Sequence, residues 1–118
     1  MREPELKHAF ATADFIISRA GAGLIFEIAA LGKPSILIPL PESAQNHQFK
    51  NAYAYAENGA TIVLEEANAT PHFLLEKMKA ILFSKSEYDR MSKAALEFAK
   101  PDAARIFATY ILEYLKQK

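Results

Sequence analysis

Three short apolar runs, 14-DFIISRA-20, 35-SILIPL-40 and 61-TIVLEE-66, recur along the first half of the chain and limit its possible folds more than any other feature. Each has strand length, carries β-branched residues and is bounded by Gly, Pro or charged side chains. Between them stand 24-LIFEIAALG-32 and 44-AQNHQFKNAYAYAENG-59, both of which read as helices. Strands joined by helices pair in parallel, because a parallel pair needs a long crossover, and such crossovers are right-handed. The near-uniform apolarity of the runs fits strands covered by helices on both faces. The expected class is therefore α/β: a Rossmann-like three-layer sandwich with a small parallel sheet of about three strands and C-terminal helices.

Local signals place the remaining elements. In the second connection Phe49, Ala52, Tyr53 and Ala56 fall at i, i+3, i+4 and i+7. Ser43 is placed to cap that helix and Gly59 to end it in a left-handed conformation. Thr70-Pro71 reads as an N-cap followed by Pro at the first helical position, leading a stripe of Phe73, Leu74, Met78, Ile81 and Leu82. Ser86 is expected to open a helix over 87-EYDRMSKAALEFAK-100, which Pro101 ends. Asp102 would cap a last helix whose Ala103, Phe107, Tyr110, Ile111 and Tyr114 form one apolar face. A further helix is expected over residues 3–12. A sheet of three strands is small for a doubly wound fold, so residues 1–118 are expected to form a single partial domain. Its first strand would then offer an edge for self-association or for a further strand.

Composition removes several functions. The 118 residues carry 14 basic and 14 acidic side chains, so the formal net charge is zero and the electrostatic footprint of a nucleic-acid binder is absent. With no cysteine there is neither a disulfide framework nor a thiolate metal site, which fits a reducing, cytoplasmic setting. No apolar run approaches the ~18 residues of a spanning helix. His8, His47 and His72 have no metal-like spacing, and no metal site is expected. Ser18 and Ser35 lie on strands without the context of an activated nucleophile.

The candidate site lies where the first two strands end. The turn 20-AGAG-23 runs directly from a strand into a helix, and helix-start N–H groups beyond a sheet's carboxyl edge suit an anion. Gly21 and Gly23 would let a phosphate approach the main chain and permit positive φ; the same glycines are equally explained as a tight turn. A dinucleotide fingerprint fails, since its third glycine position is Phe26, and a P-loop fails because Gly32-Lys33-Pro34 ends a helix. Glu27 is read either as a carboxylate favoured by the dipole near a helix start or as an acceptor for two ribose hydroxyls. The segment 39-PLPESAQNHQ-48, with Glu42, Gln45, Asn46, His47 and Gln48, is read either as a polar capping loop or as a set of donors and acceptors for sugar hydroxyls.

Taken in order, RAGAG, FEIAALGKPSILIPLP, HQFKNA, ENGATIVLEE and the late PDAAR resemble the C-terminal, donor-nucleotide half of the MurG-type glycosyltransferases, over nearly the whole chain. These family 28 enzymes have the two-domain GT-B fold and transfer N-acetylglucosamine from UDP-GlcNAc to lipid I, giving lipid II of peptidoglycan. The small subunit of the eukaryotic dolichol-pathway transferase shares the region. The resemblance implies that Ala20, Gly21, Ala22, Gly23 and Leu24 lie against the UDP diphosphate and that Glu27 holds the ribose hydroxyls. His47 and Gln48 would meet the sugar or phosphate, Asn51 would brace that loop, and Arg19 is the basic residue before the turn. Leu24 stands where many members carry Thr or Ser, so main-chain donors would carry the phosphate contact. The catalytic residue, the lipid-linked acceptor site and peripheral attachment to the inner face of the plasma membrane are implied for the N-terminal half of the family, and the fragment alone is expected to be inactive. Two other readings remain at this stage: a non-catalytic module that works with a partner chain, and a Rossmann-like domain for another nucleotide or none.

Overall fold

A computed structural model of the chain describes residues 14–41 and 47–116. The element order is β1 (Ile16–Ser18), α1 (Ala22–Ala30), β2 (Ser35–Leu37), α2 (His47–Glu57), β3 (Thr61–Val63), a 3₁₀ turn (Glu66–Asn68), α3 (Pro71–Leu82), α4 (Lys85–Phe98) and α5 (Pro101–Lys116). The strands form one parallel sheet in the order β1-β2-β3, with Ile16 opposite Ser35 and Ser35 opposite Thr61. The strands are shorter than the apolar runs suggest. Pairing nevertheless continues past their ends, through Ile38 N–H to Ser18 O at 2.8 Å and Leu64 N–H to Leu37 O at 3.0 Å. Pro39, which has no N–H to give, stops β2. Among the described residues β1 pairs only with β2, so no described strand covers its outer edge.

Alternation along the strands separates two faces. Ile16 and Leu37 join Ile25, Ile28 and Ala29 of α1 and Ala52 and Tyr55 of α2 in a single buried cluster, with Val63 packed against it. Both crossover helices therefore cover one face, as same-handed connections require when strand order advances in one direction. Ile17, Ile36 and Ile62, in register with one another, line the opposite face. Phe107 meets Phe26 edge-on at a centroid separation of 5.2 Å, and Tyr55 meets Phe98 edge-on at 4.7 Å. Such contacts lock the ends of α4 and α5 onto α1 and α2.

Several local expectations change. The buried stripe of α2 is Asn51, Ala52 and Tyr55, while Tyr53 is exposed and donates its hydroxyl to Glu65 at 2.7 Å. The sequence stripe was placed too far round the helix because Asn51, a polar residue, occupies an inward position. Thr70 does cap α3, accepting from Phe73 N–H at 3.3 Å, but only Ile81 of that helix is buried and Phe73 and Leu82 are exposed. Ser84, not Ser86, caps α4 by accepting from Glu87 N–H at 3.3 Å. Asp102 sits inside the first turn of α5, after Pro101, instead of capping it. Phe107 is buried as expected; the side chains of Ala103, Tyr110, Ile111 and Tyr114, the helix over 3–12, and Ser43 with Glu42, Gln45 and Asn46 fall outside the described residues.

Helix α4 secures the amino edge of the sheet. Ser92 Oγ donates to Gly32 O and Asn58 Nδ2 to Ala94 O, each at 2.7 Å, and Tyr88 OH donates to Asp14 O at 2.7 Å. The loops after α1 and α2 are thereby fixed at one end, and the carboxyl edge is left open. The α1 loop depends on Gly32, which has φ +65° and closes a Schellman turn through Gly32 N–H to Ala29 O and Lys33 N–H to Ile28 O. A Cβ there would meet Leu96 Cγ at 2.9 Å. Gly32→Ala is expected to lower unfolding free energy by at least about 1–2 kcal/mol, the cost of a left-handed non-glycine residue. The check is a shift in the denaturant midpoint at unchanged m-value.

Candidate functional site

Between β1 and α1 the chain passes through Arg19, Ala20 and Gly21, and the middle residue is held on both of its main-chain groups. Ala20, fully buried, donates its N–H to Gln48 Oε1 at 3.3 Å and accepts from Asn51 Nδ2 on its carbonyl at 3.1 Å. Gln48 Oε1 also accepts from Leu40 N–H at 2.9 Å. Gln48 and Asn51 are three apart on the first turns of α2 and so share a helix face. One face of α2 thus fastens the loop after β1 to the loop after β2. His47 opens the same helix, half-buried, with its Nε2 out of contact with solvent.

Gly21 is the N-cap of α1, in extended conformation, and no side chain caps it. Its carbonyl takes the first helical bond, from Ile25 N–H at 3.0 Å. The N–H groups of Ala22, Gly23 and Leu24 precede any possible partner within the helix, so they face outward at the positive end of its dipole. Neither Gly21 nor Gly23 needs positive φ: the left-handed glycines are Gly32 and Gly59, which corrects one of the two reasons for glycine in this turn. Packing does not require them either, since a Cβ built on Gly21 or on Gly23 meets nothing within 4 Å. At position 23, inside the helix, the fold would accept alanine, and glycine there costs about 1 kcal/mol relative to it, whereas at the N-cap, position 21, glycine is favoured over alanine. What glycine leaves is open space over a helix start.

Glu27 lies in the second turn of α1, and no acidic residue occupies the first. The dipole explanation for this carboxylate weakens accordingly, because the effect falls off within one turn. Gly23 and Glu27 are four apart and share a face, and helical side chains lean toward the N-terminus. Glu27 thus stands on the same helix face as Gly23, half-buried, with its Oε2 out of contact with solvent. Leu24, next to Gly23, is partly buried and packs against the core cluster with its i+4 neighbour Ile28.

Arg19 is directed elsewhere. Its Nη2 pairs with Glu66 Oε1 at 2.8 Å and its Nη1 lies 3.5 Å from Ile38 O. Together with Ile17, Ser18, Ile38, Glu66 and Ala69 it lines an open pocket of about 330 Å³. The turn, Gln48 and Asn51 thus assemble at one corner, with Glu27 on the helix that the turn opens, while the Arg19 side chain is engaged by Glu66. Sequence reasoning missed Glu65 and Glu66; the signal was present, since Arg19 and this acidic pair leave their strands at the same sheet edge. Glu65 accepts from the Tyr53 hydroxyl, and this bond holds the phenol above its ordinary pKa. Among the described residues no cluster of His, Cys, Asp and Glu is arranged to hold a metal, and no helix is long and apolar enough to cross a membrane.

The profile of the glycosyltransferase family 28 C-terminal domain matches residues 3–106. A UDP-N-acetylglucosamine--N-acetylmuramyl-(pentapeptide) pyrophosphoryl-undecaprenol N-acetylglucosamine transferase from Caldicellulosiruptor saccharolyticus is 40% identical over 111 residues, covering 94% of this chain and 30% of the relative. The protein of the same description from Anaeromyxobacter sp. strain K is 34% identical over 114 residues, covering 97% and 30%. The crystal structure of Acinetobacter baumannii MurG superposes with a TM-score of 0.69 at 30% identity, over 96% of this chain and 32% of that one. The chain thus spans about a third of the length of the proteins it matches.

Removing the Gln48 acceptor leaves two main-chain N–H groups unsatisfied at once. Gln48→Leu is expected to destabilise by about 1–3 kcal/mol, and Gln48→Glu, which retains an acceptor oxygen, by less. Chemical denaturation of the two variants side by side checks the order; equal losses would remove the clamp.

Proposed function

The chain belongs to the glycosyltransferase family 28 C-terminal domains, and from that premise we propose that it is the UDP-GlcNAc-binding part of an inverting N-acetylglucosaminyltransferase acting on a lipid-linked acceptor, the step from lipid I to lipid II in peptidoglycan synthesis. The observation that carries this reading is the uncapped start of α1, where Gly21 and Gly23 hold open a space that the fold itself does not use. Main-chain N–H groups of Ala22, Gly23 and Leu24 would receive the diphosphate, and Glu27, one turn along the bare side, would accept from the ribose hydroxyls. His47, at the start of α2, would meet the sugar or phosphate. The Gln48 Oε1 serves the clamp, so its part in recognition is first to hold the turn in place.

In this reading the acceptor hydroxyl displaces UDP at the anomeric carbon without a covalent enzyme intermediate. Fixed donors at the α1 start stabilise the charge that develops on the departing diphosphate, electrostatic catalysis that calls on no metal. The catalytic base and the acceptor contacts would be supplied by a part corresponding to the portion of the longer relatives that this chain does not span. The protein would work in the cytoplasm at the inner face of the plasma membrane, and the outer edge of β1 is where a further strand or a second copy would add.

Titration with UDP should shift the amide resonances of residues 20–27 and of His47 and Gln48; shifts confined elsewhere, or none at millimolar ligand, would refute the site. Gly23→Ala should separate binding from stability. It is expected to raise unfolding free energy by about 0.5–1 kcal/mol and to weaken UDP by about tenfold, equivalent to 1.4 kcal/mol. Glu27→Ala should reduce affinity for UDP more than for pyrophosphate, because only UDP has a ribose. Equal losses by calorimetry would assign Glu27 a purely structural role.

A further inference from the structure

Arg19 is a basic side chain immediately before the turn that opens α1, and direct contact with phosphate would be its obvious use. Its geometry points another way. Ile16 joins the cluster beneath α1 and α2, so by strand alternation Ile17 faces the opposite side of the sheet. Arg19 follows two residues later and lines the same open pocket as Ile17, together with Ile38, Glu66 and Ala69. Gly21, Ala22, Gly23, Leu24 and Glu27 are not among the residues lining it. The guanidinium is occupied by Glu66 at 2.8 Å and reaches Ile38 O at 3.5 Å, so it links the chain leaving β1 to the segments after β2 and β3.

We propose that Arg19 is a positioning residue for the nucleotide site, acting through its pair with Glu66 and not by touching the diphosphate. This rests on the nucleotide reading above. The peptide joining Arg19 to Ala20 is gripped from two sides: Gln48 and Asn51 hold Ala20 from the α2 side, and Glu66 holds Arg19 from the other. Rotation about this segment would swing Gly21, and with it the donors that open α1. The pair is half exposed, 44% and 48% for the two side chains, so its removal should alter the folding equilibrium only slightly and the variants should remain folded.

The test compares Arg19→Gln, Glu66→Gln, the double variant, and the charge swap in which Arg19→Glu is combined with Glu66→Arg. Without ligand, the amide resonances of residues 20–24 should move in both single variants, move no further in the double, and return toward their original positions in the swap. UDP affinity should fall about threefold in each single variant, fall no further in the double, and recover in the swap. The proposal is overturned if Arg19→Gln weakens UDP tenfold or more while Glu66→Gln leaves it unchanged or tighter, or if the swap binds worse than either single variant, since a glutamate at position 19 would repel a phosphate it touched. It is equally overturned if residues 20–24 stay unmoved in the ligand-free variants. Failure of the original protein to bind UDP would remove the nucleotide reading alone, and the ligand-free shifts would still decide whether the pair positions the turn.

Discussion

A single amide oxygen holds the carboxyl edge of this sheet together. Gln48 Oε1 accepts from Ala20 N–H after β1 and from Leu40 N–H after β2, and it does so from the first turn of the helix that leads to β3. Parallel strands end in separate loops with no hairpin to align them, so something must tie those loops together. Asn51 completes the tie on the Ala20 carbonyl. With both main-chain groups of Ala20 engaged, the direction of the next residues is set, and with it that of the first N–H groups of α1. Under the function proposed above, donors fixed in this way would need no reorganisation when charge appears in front of them.

The four glycines divide between two tasks. Gly32 and Gly59 have positive φ and end α1 and α2, so the fold requires them. Gly21 and Gly23 have ordinary backbone geometry and open surroundings, so the fold does not. Gly21 is favoured as an N-cap, whereas Gly23 lowers helix stability without easing strain or packing, as the proposed access for a ligand would require. Sequence alone could not make this separation, because a glycine used for conformation and a glycine used for access are written with the same letter.

Much of the fold could be anticipated because it follows from periodicity and punctuation. Apolar runs alternating with helices gave the parallel sheet, Thr70-Pro71 gave the start of α3, and Gly59 gave the end of α2. On α2 the difference arises where a polar side chain does inward work: Asn51 faces the core to reach Ala20, which shifts the buried stripe away from Tyr53. In the site, the turn and Glu27 were visible as a pattern, whereas the clamp by Gln48 and the Arg19 to Glu66 pair join residues far apart in the chain. Neither spacing nor composition encodes such contacts; only the common carboxyl edge of the sheet brings them together.

The two ends of the sheet are stabilised by different means, and this matters for how the site can change. At the amino edge, α4 covers the loops with apolar packing and with hydrogen bonds from Ser92, Asn58 and Tyr88. At the carboxyl edge the ties are a few side chains, Gln48, Asn51, Arg19 and Tyr53, each gripping main chain or one acid. Packing energy spread over many atoms tolerates no local adjustment, since a dense core transmits any displacement. A corner held by individual hydrogen bonds can lose or exchange one tie without disturbing the core, so the geometry of this edge can be changed residue by residue while the opposite edge keeps the domain folded.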